Sequence, residues 1–385
     1  MSTGLFAVLL VASTYAWFIG MQSVSVTAFD VKIAAIDGLA LSLDGDTFAD
    51  SVSINASTYK LEGKYDGNQN VWGELIPMSS IGLVDNAKSK LQLFEKGSLT
   101  ATKGGYRILA SEVTNSASAE AKGYVAFDLF IKNLSGEEYY PDNLVANEEA
   151  IYLTTDSKVE VAQNGGKANT GIENSVRVAF AQIARVEATV TNKTTLQGLS
   201  CAGGNDSTVI CNQRYATIWE PNDTLHAANA VKWYNTTCKA RTGATVTDDN
   251  SYGIAGSCAE VKNGSYNKTH AIQKVIDTNF NVDVYDGAYN GYTGSSAYLK
   301  EMDYFTDTEK MLKGDQRPTF MTLAPNSITK VRVYVYIEGQ DVDNYDFAQL
   351  GSAISVNFGF TKERFTGTDV NYDPTDTAPL PTPVQ

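Results

Sequence analysis

The sequence predicts an all-β, jelly-roll-like β-sandwich with an N-terminal hydrophobic segment and a long disulfide-containing insertion. Three observations predict this fold class. Apolar and polar residues alternate along many short runs, most clearly over 124–132 and 331–337. Gly, Asn and Asp turns separate these runs, and helical periodicity is scarce. Strands do not alternate with long helices, which argues against a doubly wound nucleotide-binding fold.

The composition sets the size of the core and the classes of partner. With 385 residues and 43% hydrophobic content, the chain can bury one large core or two ordinary ones. Its formal net charge of −14 argues against nucleic acid and anionic lipid, because both attract basic surfaces. Charged residues make up only 19%, and Thr, Ser, Asn, Gly and Tyr are plentiful. This composition is typical of an exported all-β surface protein.

The first element in chain order is residues 1–22, which hold the only long apolar run of the chain. No Lys or Arg precedes Lys32. A secretory signal has a basic region ahead of its apolar core, and a membrane span needs about 20 apolar residues. We therefore expect Met1 to be a processed or truncated terminus that has lost a basic leader.

This apolar segment must be buried, because leaving about fifteen apolar residues in water costs on the order of 20 kcal/mol. It can enter a bilayer, the core of its own chain, or a second copy of the subunit. We favour the second copy, reached by a core helix or by a strand donated to the neighbouring sheet. A leftover secretion signal or a single anchor is the alternative. The predicted assembly residues are Leu5, Phe6, Val8, Leu9, Leu10, Val11, Tyr15, Trp17, Phe18 and Ile19.

Residues 23–190 and 318–365 are predicted to form the body of the sandwich. Period-two alternation predicts its strands at 23–27, 31–33, 39–43, 106–113, 124–132, 150–155, 175–190, 328–337 and 353–361. Short helices are expected at 271–277, at 304–313 and at 346–350. The second of these helices has Thr306 or Asp307 as its N-cap.

Residues 191–317 lack sustained alternation, and we interpret them as an insertion that faces outward from one end or edge of the sandwich. They hold all four cysteines: Cys201, Cys211, Cys238 and Cys258. The simplest pairing joins Cys201 to Cys211 and Cys238 to Cys258, among three possible connectivities. Zinc is the other interpretation, but the spacings are too wide for a ribbon or finger. Disulfides place the chain in an oxidising compartment.

Asn-x-Ser/Thr acceptors for glycosylation are concentrated in the same insertion. The candidate acceptors are Asn55, Asn133, Asn192, Asn205, Asn222, Asn235, Asn263 and Asn267. Their density between 192 and 267 predicts an exposed, loop-rich region that carries sugar.

The C-terminal residues 366–385 are rich in proline and are predicted to form an extended tail. Asp369, Asn371 and Asp373 have the spacing of the first oxygen ligands of a calcium loop. The glycine and the final glutamate of such a loop are missing. Similar acidic turns occur at 44–46 and 341–346, and we interpret all of them as solvated loops, with calcium as a weak alternative. No other cofactor is indicated.

Catalytic motifs are missing from the sequence. His226 and His270 are its two histidines, and no His-Glu-x-x-His helix, Gly-x-Ser-x-Gly elbow or glycine-rich phosphate loop accompanies them. A Ser-His-Asp triad would have to use one of these two side chains. We therefore expect no enzymatic activity.

Two stretches carry a resemblance to known families. The run 13–18, Ser-Thr-Tyr-Ala-Trp-Phe, followed by Val24-Ser-Val and Val31-Lys-Ile, resembles the start of exported fibre-forming proteins of the TasA and camelysin type. The late runs 333–341 and 355–360 look like the closing strand pair of such proteins. The resemblance implies a secreted jelly-roll subunit that polymerises by inserting an N-terminal strand into the next subunit.

The N-terminus also resembles a processed type IV pilin, whose N-terminal helix forms the filament core, although Leu5 stands where those proteins have glutamate. The metalloprotease activity associated with the camelysin name has no zinc motif here. Both resemblances imply a filament, by a donated strand in one case and a helix in the other.

The sequence therefore predicts a structural subunit of a secreted, cell-surface filament, whose partner is a second copy of itself and which meets a membrane only before assembly. The first alternative is a membrane-anchored adhesin or glycan-binding protein that contacts glycans or other cell surfaces. The second is a secreted hydrolase using His226 or His270.

Overall fold

We analysed a computed structural model of the chain. The described residues are 24–25, 29–59, 72, 74–102, 105–113, 120–142, 147–162, 170–232, 261–266, 269–276, 282–285, 298–312, 316–344 and 353–362. Their regular secondary structure is mostly β, which confirms the predicted all-β class.

Each predicted run contains a strand, and the described residues also form shorter strands that were not predicted. The strands are β1 Val24–Ser25, β2 Phe29–Ala35, β3 Leu39–Ser42, β4 Ser51–Asn55, β5 Glu74–Leu75, β6 Pro77–Ser79, β7 Val84–Asp85, β8 Lys90–Leu91, β9 Phe94–Glu95, β10 Ser98–Thr102, β11 Gly105–Leu109, β12 Val125–Asn133, β13 Glu149–Leu153, β14 Lys158–Val161, β15 Val176–Glu187, β16 Thr208–Val209, β17 Thr217–Glu220, β18 His270–Ile272, β19 Val282–Tyr285, β20 Leu299–Glu301, β21 Phe305–Thr306, β22 Met321–Leu323, β23 Ser327–Glu338 and β24 Ile354–Thr361. The short helices are α1 Ala56–Tyr59, α2 Lys193–Gln197 and α3 Asp307–Met311, with one 3₁₀ turn at Ile172–Ser175.

Two sheets form the body. The central sheet runs in the order β21-β17-β15-β23-β12-β3, and its three long middle strands are antiparallel. The second sheet runs β22-β13-β24-β2-β4, with β14 also paired to β24. Valine, isoleucine and phenylalanine side chains from the facing surfaces pack into one core, as expected for a sandwich.

The centre of this core is a group of aromatic rings. Phe180 of β15 makes edge-on contacts with Phe320, Phe358 and Phe360, at centroid distances of 5.0, 5.1 and 5.9 Å. Such edge-to-face geometry is the favoured arrangement of aromatic pairs. Alternate residues of β15 and β24 thus join the two sheets.

The central sheet is also covered on its other surface. Every residue of β23 is buried, although its alternating sequence is typical of a strand with one solvated face. The cover consists of residues from two parts of the chain, which include Met78, Leu91, Leu196, Ile218 and Met302. The central sheet is therefore the middle of three layers.

This cover corrects the interpretation of residues 191–317 as an outward-facing excursion. The described part of that segment supplies β17 and β21 to the edge of the central sheet, and its apolar side chains pack on the sheet. The sequence hides this role because its strands are too short to show alternation.

Two helix predictions have different outcomes. The helix expected near 304–313 is α3, and Thr306 caps it through a reciprocal capping box with Glu309. The helix expected at 271–277 is wrong, because His270–Ile272 pairs with β20 as a strand. The helix expected at 346–350 lies outside the described residues.

Candidate assembly site

The strand that follows the N-terminal segment lies inside the second sheet, between two partners. Strand β2 pairs parallel with β24, from Phe29 opposite Ile354 to Ala35 opposite Phe360. On its other side it pairs antiparallel with β4, from Asp30 opposite Asn55 to Ala34 opposite Ser51. The chain therefore enters the body through an interior strand with ladders on both sides.

The sequence of β2 explains this position. Val31, Ile33 and Ala35 point into the core, where they are at most 3% exposed. Lys32 and Ala34 alternate with them on the exposed side. A period of two with branched apolar residues on one face is the pattern of a strand buried on that face.

A tight turn carries the chain from the second sheet to the central sheet. Asp37 and Gly38 both have positive φ, 64° and 76°, and the amide of Leu39 donates to the carbonyl of Ile36. Two consecutive left-handed residues make a type I′ turn, for which Asp-Gly is a preferred sequence. This turn places β3 at the edge of the central sheet directly after β2.

The outer surface of the second sheet is an open trough of about 1090 Å³. Here we call it the outer trough. Small polar side chains line its floor, and Lys158 and Glu160 form an exposed ion pair of 2.8 Å at its rim. Ile36 is the largest exposed apolar side chain that lines it, at 45% exposure. The lining residues on β2, β4 and β24 include Lys32, Ala34, Ser51, Ser53, Ser355, Asn357 and Gly359.

One end of the trough is closed by a loop that crosses β24. The amide of Thr154 donates to the carbonyl of Gly359 at 2.9 Å, and the amide of Gly359 donates to Oγ of Ser157 at 3.1 Å. A Cβ at position 359 would lie 2.5 Å from Oγ1 of Thr154. Glycine is therefore required at this close approach.

The predicted assembly residues, from Leu5 to Ile19, lie outside the described residues. So do Cys238, Cys258, Asn235, Asn267, the calcium candidates Asp369, Asn371 and Asp373, and the proline-rich tail. Of the strand predicted at 23–27, Val24–Ser25 is described and pairs with β5.

The covered surface of the central sheet holds a buried group of charges that sequence reasoning missed. We define the Arg177 cluster as Arg177, Glu220, Asp341 and Glu338. The Nη2 atom of Arg177 lies 2.6 Å from Oε1 of Glu220 and 2.5 Å from Oδ2 of Asp341. Arg177 is completely buried, and its guanidinium also lies 5.1 Å from the ring centroid of Tyr304.

The electrostatics of this cluster are those of one cation among several acids. Burial alone would lower the pKa of Arg177, but Glu220 and Asp341 raise it. Burial raises the pKa of Glu338 to about 8, against the opposing effect of Arg177. Glu338 is therefore mostly neutral at pH 7.

A second buried ion pair joins β23 to β12 on the same covered surface. Arg332 binds Asp128 through two nitrogens, Nε at 2.7 Å and Nη2 at 3.0 Å. Lys330 adds a contact of 3.2 Å to the same carboxylate. Burial would raise the pKa of Asp128, but the two cations lower it to about 2. Such bidentate pairing fixes the register of β12 against β23.

His226 is held by both ring nitrogens. Nδ1 lies 2.7 Å from Oδ2 of Asp343, and Nε2 lies 3.0 Å from the carbonyl oxygen of Ser265. Burial alone would lower the pKa of His226, but the bond to Asp343 outweighs it and raises the pKa. A ring that donates from both nitrogens is a cation and has no lone pair with which to accept a proton from a nucleophile. The side chain of His270 lies outside the described part.

The acidic turn at 341–344 differs from the solvated loop that we expected, whereas Asp46 in the turn at 44–46 is exposed. Asp341 and Asp343 are buried in the ion pairs described above. In the turn at 44–46, Oδ1 of Asp44 accepts from the amides of Asp46 and Thr47 at 3.0 and 3.1 Å, so the turn is closed by its own backbone. In the part of the chain that the structure describes, no group of three or more His, Cys, Asp or Glu side chains is placed to hold a metal ion.

The predicted disulfide between Cys201 and Cys211 is confirmed, with Cα atoms 5.9 Å apart. Both residues are buried in the cover of the central sheet. The bond closes the loop at 201–211, which contains β16. The disulfide therefore links two residues of the cover and does not link the cover to the sandwich.

Two of the predicted glycosylation acceptors are wrong. Asn133 is completely buried, and its Nδ2 donates to Glu149 at 2.7 Å and to the carbonyl of Ala324 at 2.9 Å. Asn222 is 7% exposed, and its Nδ2 donates to two carbonyls at 3.1 Å. Because the sugar attaches to Nδ2, neither folded site has room for it.

The other described acceptors are accessible. Asn192, Asn205 and Asn263 are exposed, and Asn55 is half-buried. Asn192 uses only its Oδ1 atom, which accepts from the amide of Thr195 and caps α2. These four positions stay predictions.

No protein-family model matches the chain, and neither a curated protein nor a solved structure shows significant similarity to it. Within the described ranges, no helix has the length and apolar character needed to cross a membrane.

Proposed function

We propose that this protein is a non-catalytic structural subunit of a secreted, cell-surface filament, in which the apolar segment 1–22 of one copy is buried in the next. The body is then a jelly-roll-like sandwich, and the oxidising compartment explains its disulfide. The partner is a second copy of the chain, and the membrane is met only before assembly.

The observation that carries this proposal is the parallel pairing of β2 with β24. Because the two strands run in the same direction, the chain enters the body at Phe29 and leaves it beyond Thr361 at the opposite end of the ladder. Tension between the two ends would load all the hydrogen bonds of β2 together, as shear. A hairpin pulled from one end would instead release its bonds one at a time.

The double pairing of β2 strengthens this argument. Tension from the N-terminal segment would pass to β24 on one side and to β4 on the other. A head-to-tail filament transmits tension through every subunit, so it needs this kind of attachment. A monomeric binding protein has no such need.

Electron microscopy of two proteins tests the proposal. The full chain, purified with residues 1–385, is expected to form regular fibres in negative stain. The same chain without residues 1–20 is expected to remain a folded monomer, since the exposed apolar surface that drives association is removed. Single particles of the full chain, with an intact N-terminus, would overturn the proposal.

Point substitutions test whether residues 1–22 must be buried, without changing the length of the chain. Leu9→Asp places a charge in the segment and is expected to abolish fibres, because an unpaired charge is costly to bury. Leu134→Asp is the matched control, because Leu134 is 49% exposed on the body. Fibres that survive the first change, or are lost with the control, contradict burial of residues 1–22.

The outer trough favours a second candidate function, an anchored adhesin that binds glycans or another cell surface. Its floor offers the hydroxyl and amide groups of Ser53, Ser355 and Asn357, which suit the hydroxyl groups of a sugar. In this case deletion of residues 1–20 releases a monomer that still binds. Binding of soluble glycans to the monomer, abolished by Asn357→Asp and retained in Asn205→Asp, would favour the adhesin.

A further inference from the structure

The covered surface of the central sheet places a buried lysine, a buried asparagine and a buried glutamic acid together. Lys96 follows β9, and Glu338 ends β23. Asn344 lies in the turn after β23. Their exposures are 9%, 0% and 2%, so all three are nearly or fully removed from water. A group of these three residue types has a specific chemistry when it is buried.

Local contacts bring Lys96 and Asn344 side by side. The Nζ atom of Lys96 lies 3.4 Å from the main-chain oxygen of Asn344. The backbone at 339 fits tightly beneath Lys96, because a Cβ on Gly339 would lie 2.7 Å from Cβ of Lys96. The amine therefore reaches the residue that carries the side-chain amide.

Two buried polar atoms of this group have incomplete hydrogen bonding. Among the described residues, Oδ1 of Asn344 and Oε2 of Glu338 have no hydrogen-bond partner, although both are buried. Nδ2 of Asn344 donates to the main-chain oxygen of Glu338 at 3.2 Å. Buried polar atoms without partners are rare in folded proteins and call for an explanation. A neutral carboxyl group can donate to an amide oxygen, and burial keeps the pKa of Glu338 at about 8.

We propose that Lys96 and Asn344 join in an intramolecular isopeptide bond, and that Glu338 assists the reaction. The lone pair of the deprotonated Lys96 amine attacks Cγ of Asn344, and a C–N bond forms. The carboxyl group of Glu338 transfers its proton to Oδ1 as negative charge develops there, and it takes the proton back when the Cγ–Nδ2 bond breaks. The Cγ–Nδ2 bond then breaks, and ammonia leaves with the proton from the amine. The lysine ammonium and the asparagine amide thus become one secondary amide and one ammonium ion, and no oxidant is needed.

Burial favours each step of this reaction. Removal from water disfavours the charged form of an amine, which makes it a nucleophile. It also keeps the acid neutral and strengthens its hydrogen bond to the developing oxyanion. The product amide has one donor and one acceptor, fewer than the two groups that it replaces. The bond would tie the end of β23 to the cover of the central sheet.

The experiment is mass spectrometry of the full-length chain after reduction of its disulfides. The expected intact mass is lower than the sequence mass by one ammonia molecule. Proteolysis is expected to yield one branched peptide that joins the segments around Lys96 and Asn344. Deamidation would give neither result, because it replaces an amide by an acid without branching.

Two variants and one control identify the residues. Lys96→Arg keeps a cation but cannot form the amide, so the full mass is expected. Glu338→Gln is close in shape to the acid, which is mostly neutral at pH 7, but it cannot transfer a proton to Oδ1. It is expected to fold and to lose most of the cross-link. Lys88→Arg is the control, because Lys88 pairs with Asp85 at the surface, and it should retain the cross-link.

Circular dichroism and cooperative thermal unfolding show whether each variant is folded. If Lys96→Arg fails to fold, Glu338→Gln still tests the chemistry. A folded wild-type chain with the full sequence mass and no branched peptide would overturn the proposal. A branched peptide that survives in Lys96→Arg would overturn it too. This inference does not depend on polymerisation, so the loss of fibres and the loss of the cross-link are independent results.

Discussion

The two surfaces of strand β23 are both buried, but they are stabilised in different ways. One presents Val331, Val333 and Val335 to the second sheet, inside the main core. The other presents Arg332, Tyr334 and other polar residues to the cover. The apolar surface gains free energy from every group that leaves water. The polar surface loses free energy when its charges leave water, and it recovers that free energy only if each charge has its partner in place.

This difference shows which surface tolerates substitutions and which one requires particular residues. Apolar side chains of similar volume can replace one another with small changes in stability. A carboxylate paired with a guanidinium cannot be replaced in this way, because a substitute must match both its charge and its hydrogen-bond geometry. The apolar surface therefore supplies the driving force for folding, and the polar surface selects the register of the strands and the position of the cover.

The largest expected effect follows removal of the cation from the Arg177 cluster. Arg177→Ala leaves Glu220 and Asp341 buried without their partner, which should lower the free energy of unfolding by about 3 to 5 kcal/mol. Urea unfolding measures this change. Lys158→Ala is the control, because its exposed pair with Glu160 contributes at most about 1 kcal/mol.

A triple variant sharpens the same comparison. Replacing Arg177 by Met and both Glu220 and Asp341 by Leu removes all three charges together. Most of the lost stability should return, since apolar replacements of buried ion pairs are often neutral. If the triple variant is as unstable as Arg177→Ala, the cluster contributes through packing rather than through compensation of charge.

A smaller effect is expected on the apolar surface. Val333→Ala removes two methyl groups from a fully buried position and should cost about 2 kcal/mol. Tyr334→Phe, on the opposite surface, removes the hydroxyl that accepts from the amide of Leu91 at 3.0 Å and should cost about 1 to 3 kcal/mol. Both are read from urea unfolding. Equal tolerance of Val333→Ile and Tyr334→Leu would contradict the distinction between the surfaces.

The smallest effect, taken per pH unit, is the dependence of the free energy of unfolding on pH. Because the pKa of Glu338 is raised from 4.5 to about 8 in the folded chain, the unfolded chain loses this proton first as the pH rises. The free energy of unfolding should therefore fall between pH 5 and 8, by up to about 1.4 kcal/mol per pH unit. Glu338→Gln should remove this contribution to the slope.

Two controls apply to the pH experiment. The comparison uses the slope of the free energy of unfolding against pH, not its absolute value. Any constant difference in stability between wild type and Glu338→Gln therefore cancels. His226 contributes in the same direction, because its raised pKa gives stability that is complete below pH 6.5 and is lost as the pH rises through its folded value. Its contribution is present in both proteins. Identical slopes for the two proteins would show that Glu338 is ionised in the fold.

Alternation in the sequence was sufficient to predict the long strands of the body, but it missed short ones such as β4 and β14. The runs at 124–132, 175–190 and 328–337 correspond to β12, β15 and β23. Period two identifies a strand but does not say what covers its second surface. Polar residues such as Lys330 look solvated in the sequence, and their partners are distant in the chain. Asp128, for example, pairs with Arg332 from 204 residues away.

The candidate sites were predictable only where the signal was local. The disulfide followed from two nearby cysteines, and the cap of α3 from Thr306 and Glu309. Asn133 and Asn222 carried the acceptor motif, but the motif does not report burial. One local signal was available for the missed groups. Arg177 interrupts an apolar run at 176–181, and a charge in such a run predicts a buried partner elsewhere.

The parallel ladder between β2 and β24 also has a consequence for the order of folding. Phe29 pairs with Ile354, so the first body strand waits for almost the entire chain to be synthesised before its partner exists. Closing so long a loop is entropically costly and slows the step. Until then β2 keeps an unpaired edge, and nascent chains that meet at high concentration can pair there with each other. Rapid delivery of the complete chain, or a chaperone that covers this strand, would therefore determine the yield of correctly folded protein.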